Sequence, residues 1–253
     1  MTSRFERLLS IALPAATAIA VTVTWQVAVT LADIREILLP TPLAIAGSLG
    51  RNLPSFLQQA LITGREALAA FTLAVVAGFA GAALISSSRI LREILYPAIV
   101  ALQLIPKVAL APLFIVFLGI DAEARITFAA LLSFFPILIS TAIALHNTDF
   151  AAVRLCRSLG ASGWQTFWSV RVPFALPAFF TGARISSTMA VTGVVIAEFI
   201  TSREGLGFAI LDEGSHSRTD AVFAAITVLC VLGLALYGAV KGLEMISVRW
   251  YRG

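Results

Sequence analysis

Charge is scarce in this 253-residue chain: Asp, Glu, Lys and Arg make up 13% of it, against 59% hydrophobic residues and a mean hydropathy of +0.94. So little polar surface cannot coat a water-soluble globule, so the chain belongs in a membrane. There are two cysteines, Cys156 and Cys230, and no disulfide framework follows from them. The two histidines, His146 and His216, are far apart and in no ligand spacing, so neither is expected to bind metal. A Gly-rich loop ending in Lys-Ser/Thr, a helix-borne His pair, a Gly-X-Ser-X-Gly elbow and paired Asp clusters are all missing. ATP chemistry, zinc hydrolysis and serine hydrolysis are therefore not expected within the chain itself. The net charge of +4 comes without an aromatic-interleaved basic groove, so membrane orientation explains it better than nucleic acid does.

What the chain has is long apolar runs. A helix needs roughly 20 apolar residues to cross about 30 Å of hydrocarbon, and backbone polar groups there must be satisfied within helices or closed barrels. Continuous rather than alternating runs select helices. Six spans are expected, at Leu8–Leu31, Ala60–Ile85, Ile94–Leu118, Ile126–Leu145, Pro177–Ile200 and Val222–Leu243. The first follows Arg4 and Arg7 as a secretory signal would, but its apolar core is too long for a cleaved one and reads as a permanent span. Asp33 to Gln59 carries Pro40, Pro42, Gly47 and Pro54 and reads as an irregular or surface-lying connection. The fold class expected is an all-α integral membrane protein, a single domain over 1–253.

Cations near span ends set orientation. With the N-terminus inside, Arg4, Arg7, Arg89, Arg92, Arg154, Arg157, Arg171, Lys241, Arg249 and Arg252 are cytoplasmic, against Arg35, Arg51, Arg65, Arg125, Arg203 and Arg218 outside. Both termini are then expected in the cytoplasm.

The polar segment between the fourth and fifth spans, residues 147–172, is then a cytoplasmic loop of two short helices around a sharp turn. Asp149 can cap the first, Gly160 suits the left-handed residue that ends it, and Ser162 can cap the second. Val153, Leu155 and Leu159 supply apolar knobs, while Arg154 and Arg157 stay solvated. Trp164, Phe167 and Trp168 give an aromatic, interface-seeking face. Such a projecting helix can fill a groove on a soluble partner. The plainer alternative is a connector packed on its own spans, with Trp164 and Trp168 as interfacial anchors.

At these residues the chain resembles the membrane subunit of a binding-protein-dependent ABC importer. The family's loop pattern is Glu-Ala-Ala, three residues, Gly, nine residues, Ile, any residue, Leu-Pro. Here Gly160 is followed at that spacing by Val170-Arg171-Val172-Pro173, with valines for Ile and Leu, and Arg154-Leu155-Cys156 replaces the acidic triplet. Ile105-Pro106-Lys107-Val108-Ala109-Leu110-Ala111-Pro112-Leu113-Phe114 with Gly119, Ala197-Glu198-Phe199 and Gly205-Leu206-Gly207-Phe208 are similar to the nitrate, sulfonate, taurine and pyrimidine-precursor branch. The resemblance covers about residues 60–245. It implies a five-helix permease core preceded by one span, with two copies of the subunit, two cytosolic ABC ATPases that bind ATP and Mg, and an external solute-binding protein, in the bacterial cytoplasmic membrane. It implies no cofactor bound by this chain. Arg154, Leu155, Arg157, Ser158, Leu159, Gly160, Ala161, Ser162 and Trp164 would couple to the ATPase. The solute would be a small anionic or polar organic compound: a sulfonate, nitrate, carboxylate or pyrimidine-like molecule.

Inside the membrane, Lys107 is expected near the middle of the third span, where a charge costs roughly 2.5–3.5 kcal/mol on insertion scales. Pro106 and Pro112 flank it, and Gln103 lies one helical turn before it. Gln103 and Lys107 either line a solute pathway or Lys107 serves as counter-ion to a carboxylate such as Glu198. Glu198 falls at the end of the fifth span, near the outer interface, where a structural pair with Arg or Lys is expected. Arg184 can snorkel. Met189, with Thr188, Ser187 and Gly193, borders either the pathway or a close helix contact, and Gly78, Gly81 and Ala82 suit close approach in the second span. Gly205, Leu206, Gly207 and Phe208 open a short amphipathic stretch that resembles the family's external gate element, the alternative being a loop on lipid headgroups. A stand-alone secondary carrier, the other class considered, needs internal repeats and coupling carboxylates near the midplane. No repeat is apparent, and Glu198 is the carboxylate weighed for that role.

Overall fold

The computed structural model describes residues 4–249, and every regular element among them is helical. In chain order these are α1 (Arg4–Leu31), α2 (Pro42–Ser87), α3 (Arg89–Leu104), a 3-10 turn (Lys107–Leu110), α4 (Ala111–Leu118), α5 (Ala122–His146), α6 (Phe150–Ser158), α7 (Gly163–Thr166), a π turn (Phe167–Arg171), α8 (Val172–Thr201), α9 (Leu206–Ser215) and α10 (Thr219–Ser247).

Among the described residues, five helical stretches are long and apolar enough to cross a membrane: 12–31, 42–87, 122–146, 163–201 and 219–247. The expected third span is not one helix. It is α3 followed by the 3-10 turn and α4, bent by 88° across Ile105 and Pro106, and counts as a sixth span only if the pair is taken as one. The cause is local: Pro106 has no N–H to donate and forces the residue before it out of the helical region, so Ile105 sits extended at φ −68°, ψ 127°. Pro112 falls in the first turn of α4, where a proline is tolerated.

Two other boundaries differ from expectation for the same kind of reason. Pro42 stands at the first position of α2, where its missing N–H is not needed, and Pro54 is carried inside the helix. Much of the segment read as irregular, from Pro42 to Gln59, is thus the first part of a 46-residue helix. At the other end, the fifth span does not begin at Pro177, because helical structure runs unbroken from Gly163 to Thr201.

By packing, the chain forms two compact units, one of 1–58 with 209–228 and one of 59–208 with 229–253. In the first, Trp25 meets Phe223 at 5.9 Å between ring centroids, Arg51 pairs with Asp220 at 3.4 Å, and Thr219 donates to the Ile37 carbonyl. The second holds the tightest helix pair, α5 against α8. A Cβ on Gly193 would fall 2.7 Å from Ala129 Cα, one on Gly182 would fall 2.6 Å from the Pro136 carbonyl, and Ser186 donates to the Ser133 carbonyl at 2.6 Å. Small residues allow this approach, which in lipid replaces the hydrophobic drive with van der Waals contact and hydrogen bonds. Ala67 and Ala70 of α2 complete that layer with Ala129, Ala130, Ala190, Val191 and Val194. Gly78 and Gly81 repeat the device against Ile137 and Leu138 of α5. Ala111 and Phe114 of α4 pack on Phe128 and Leu132 of α5 and Ala197 of α8.

Candidate functional site

The loop between α5 and α8 is built by local hydrogen bonds. Asp149 caps α6, its side chain accepting from Ala151 N at 2.9 Å. The helix ends in a Schellman motif, with Gly160 N donating to the Arg157 carbonyl and Ala161 N to the Cys156 carbonyl. Gly160 sits at φ +80°, the left-handed region that a side chain enters only with strain. Ser162 and Gln165 then form a reciprocal capping box on α7. Eight of the nine coupling residues named above thus lie on α6, on its terminal turn or in the cap of α7, and Trp164 lies in α7 itself.

Their side chains divide into two faces. Leu155 is 60% exposed, Leu159 78% and Trp164 71%, a projecting apolar ridge. Val153, expected among the knobs, is instead buried and pins α6 to the body of the protein. Successive helical residues turn by about 100°, so Val153 and Leu155 point to opposite sides. Arg154 lies over the Phe150 ring at 4.5 Å, where the resemblance expects an acid. Trp164 stacks near Phe167 and Trp168, and Trp168 reaches Phe79 of α2, so the aromatic face also anchors the loop.

The four expected pathway residues do not form one cluster. Lys107 lies at the break rather than in mid-span; it is half-buried, its Nζ 3.5 Å from the Gln103 carbonyl and 5.2 Å above the Phe135 ring. Gln103 and Met189 are exposed. No carboxylate pairs with Lys107 among the described residues, so it is not the counter-ion of Glu198. Glu198 is 1% exposed and holds no Arg or Lys. Its carboxyl oxygens accept from the Thr63 hydroxyl and from Gly207 N, each at 2.7 Å.

Glu198 thereby belongs with the expected external gate. The first three backbone N–H groups there have no intrahelical acceptor, and each finds a side chain: Gly205 N donates to Gln59 Oε1 at 2.6 Å, Leu206 N to Thr63 Oγ1 at 2.8 Å, and Gly207 N to Glu198. Gly205, at φ +97°, and Gly207 are pressed onto Glu198 so closely that any Cβ would collide with it. Leu206 is fully buried and Phe208 partly so. The segment expected as a gate is the capped first turn of α9.

Sequence reasoning missed a buried ion pair. Arg125, counted as an external cation, is 7% exposed and forks onto Glu66, with Nε 2.9 Å from Oε2 and a second contact between Nη2 and Oε1. Its Nη1 donates to the Ile120 carbonyl at 3.2 Å. The signal was available, since Glu66 interrupts the apolar run 60–85. Arg184 likewise does not snorkel: it pairs with Glu244 of α10 at 3.5 Å.

With this geometry in place, comparison with known proteins is direct. Residues 70–244 match the family described as the binding-protein-dependent transport system inner membrane component. The chain is 35% identical over 230 residues to a riboflavin transport system permease protein of Chloroflexus aurantiacus, covering 90% of this chain and 86% of that one. It is 31% identical to a taurine transport system permease protein of Escherichia coli, covering 92% and 87%. In fold it resembles a chain of the methionine ABC transporter MetNI in an inward-facing conformation, with a TM-score of 0.67 at 18% identity over 77% of this chain and 97% of that one. A capped loop with an exposed apolar ridge, set on a bundle of apolar helices of that fold, is thus found in a chain that belongs to the binding-protein-dependent transport system inner membrane components, as the permease subunit of an ABC importer.

Proposed function

We propose that the whole chain acts as one permease domain, that two copies enclose the solute pathway in the bacterial cytoplasmic membrane with both termini cytoplasmic, and that α6 and α7 dock into two cytosolic ATPases. Those ATPases bind ATP and Mg, and an external solute-binding protein delivers the solute. The exposed ridge of Leu155, Leu159 and Trp164 on a loop fixed by three caps is the observation that supports this most. A ridge held in one conformation loses little entropy on docking. A ligand shifts a two-state equilibrium only by its differential affinity, so ATPase closure must grip the loop differently in the two access states. The solute is a small polar organic compound, in keeping with relatives named for riboflavin, taurine and, at 37% identity over 155 residues, formylaminopyrimidine transport.

Co-purification with the importer's ATPase tests the docking. Replacing both Leu155 and Leu159 with Asp is expected to lower the ATPase retained roughly tenfold, as loss of a buried apolar anchor does. Undiminished retention would refute docking through this ridge.

A further inference from the structure

Under the α6–α7 turn lies a cavity of about 390 Å³ walled by Ala83, Ser87, Arg157, Trp164, Phe167 and Arg171. Two guanidinium groups face it. Arg157 is exposed and Arg171 half-buried, and neither has a hydrogen-bond or ion-pair partner among the described residues. Arg157 is four residues from the buried Val153 and so shares its face of α6, turned away from the Leu155 and Leu159 ridge. Arg171 is the last residue of the π turn Phe167–Arg171, a local winding found frequently at functional sites. An unpaired charge partly withdrawn from water is costly, and an anion in the cavity removes that cost.

Two planar forks converging on one space suit a phosphate, whose oxygens accept several charge-assisted bonds at once. The rest of the wall locates the source. Ala83 and Ser87 belong to the last turns of the long apolar helix α2, and Trp164 and Phe167 add the aromatic side chains that favour the headgroup level of a membrane. A basic pocket between membrane helices with an apolar floor fits a lipid headgroup with its glycerol better than a bare ion. We propose that Arg157 and Arg171 bind the phosphate of an anionic phospholipid such as phosphatidylglycerol, tying the coupling loop to the leaflet beside it. That this leaflet is the cytoplasmic one rests on the docking proposal above.

The test uses the complete importer, permease with ATPases, purified in mild detergent with a mixture of phosphatidylglycerol and phosphatidylcholine, the retained lipid being counted by native mass spectrometry. The wild-type complex is expected to retain phosphatidylglycerol selectively and to release it as salt rises. The double variant Arg157→Gln/Arg171→Gln is expected to lose it roughly tenfold, while Arg203→Gln, outside the cavity, keeps it. Equal retention in wild-type and double variant, or wild-type retention indifferent to headgroup charge and salt, overturns the proposal. Inorganic phosphate that displaces no lipid yet protects the same arginines from guanidinium-directed labelling overturns the lipid source. Retained lipid with the ATPase lost from the double variant means that these arginines bind an acidic protein surface instead, and also overturns the proposal. ATPase content, read in the same spectra, separates failure of this site from failure of docking.

Discussion

Among single residues, Glu198 and Gly205 are the most constrained. The Glu198 carboxyl receives two donors, Thr63 and Gly207, and the Thr63 hydroxyl is itself the acceptor for Leu206. Glutamine has one acceptor oxygen: with it on Gly207 N, the amide NH2 of Glu198→Gln faces the Thr63 hydroxyl, whose own proton then loses its acceptor. We expect a loss of about 1–3 kcal/mol from one unsatisfied buried group, read as a lower melting temperature of the purified subunit. Gly205→Ala combines a left-handed backbone with a collision on the same carboxyl, and a larger loss is expected in the same measurement. The reverse order would show that α9 is held by something other than this cap. Removing one member of the buried Glu66 and Arg125 pair is expected to cost about 3–5 kcal/mol, because the survivor is left charged without a partner. Glu66→Gln with Arg125→Met should recover most of it, and a double-mutant cycle on thermal unfolding decides. Neither the Glu198 cluster nor the Glu66 pair was legible as such in the sequence. Glu66 and Arg125 are 59 positions apart, Thr63 and Glu198 are 135, and one-dimensional spacing carries no information about which helices lie side by side.

Among elements, the sequence spoke most clearly where four or five adjacent residues close their own hydrogen bonds. Asp149, Gly160 and Ser162 announced the ends of α6 and the start of α7, and each does what its side chain or lack of one dictates. Gly160→Val should strain the turn and disturb the angle between the two short helices. The expected result is ATP hydrolysis that persists in the reconstituted importer while solute uptake falls; unchanged coupling of the two would count against this turn as the transmitting element. Elements were misread where hydropathy stood in for geometry. An apolar window cannot register that the chain turns by 88° at Ile105 and Pro106. Nor does the mere presence of Pro42 and Pro54 tell a helix start from a helix end. Lys107 changes meaning accordingly: at a break, its ammonium can reach a free carbonyl and an aromatic face, and the cost of a charge in mid-helix does not arise.

At the level of the whole chain, composition alone identified the solvent, and loop spacing identified the family. The solute is another matter, because the groups that such a pathway would present to it, Gln103, Lys107 and Met189, are spread over separate elements, with Gln103 and Met189 exposed and Lys107 half-buried in a single copy. One feature of the larger unit bears on how work done outside the membrane reaches the far side. The stretch from Gly163 to Thr201 is 39 residues of unbroken helix, roughly 58 Å end to end at 1.5 Å per residue. It carries Trp164 at one tip and Glu198 at the other, and α5 is clamped along its length at Gly182 and Gly193. The clamp stiffens the rod over its apolar length, and its irregularities, the π turn Phe167–Arg171 and Pro177, lie toward the Trp164 end. A tilt of a few degrees at the Trp164 end would become a sideways swing of several ångströms at the cap of α9, so on the docking proposed above the far end is expected to be worked by leverage rather than by a relay of side chains.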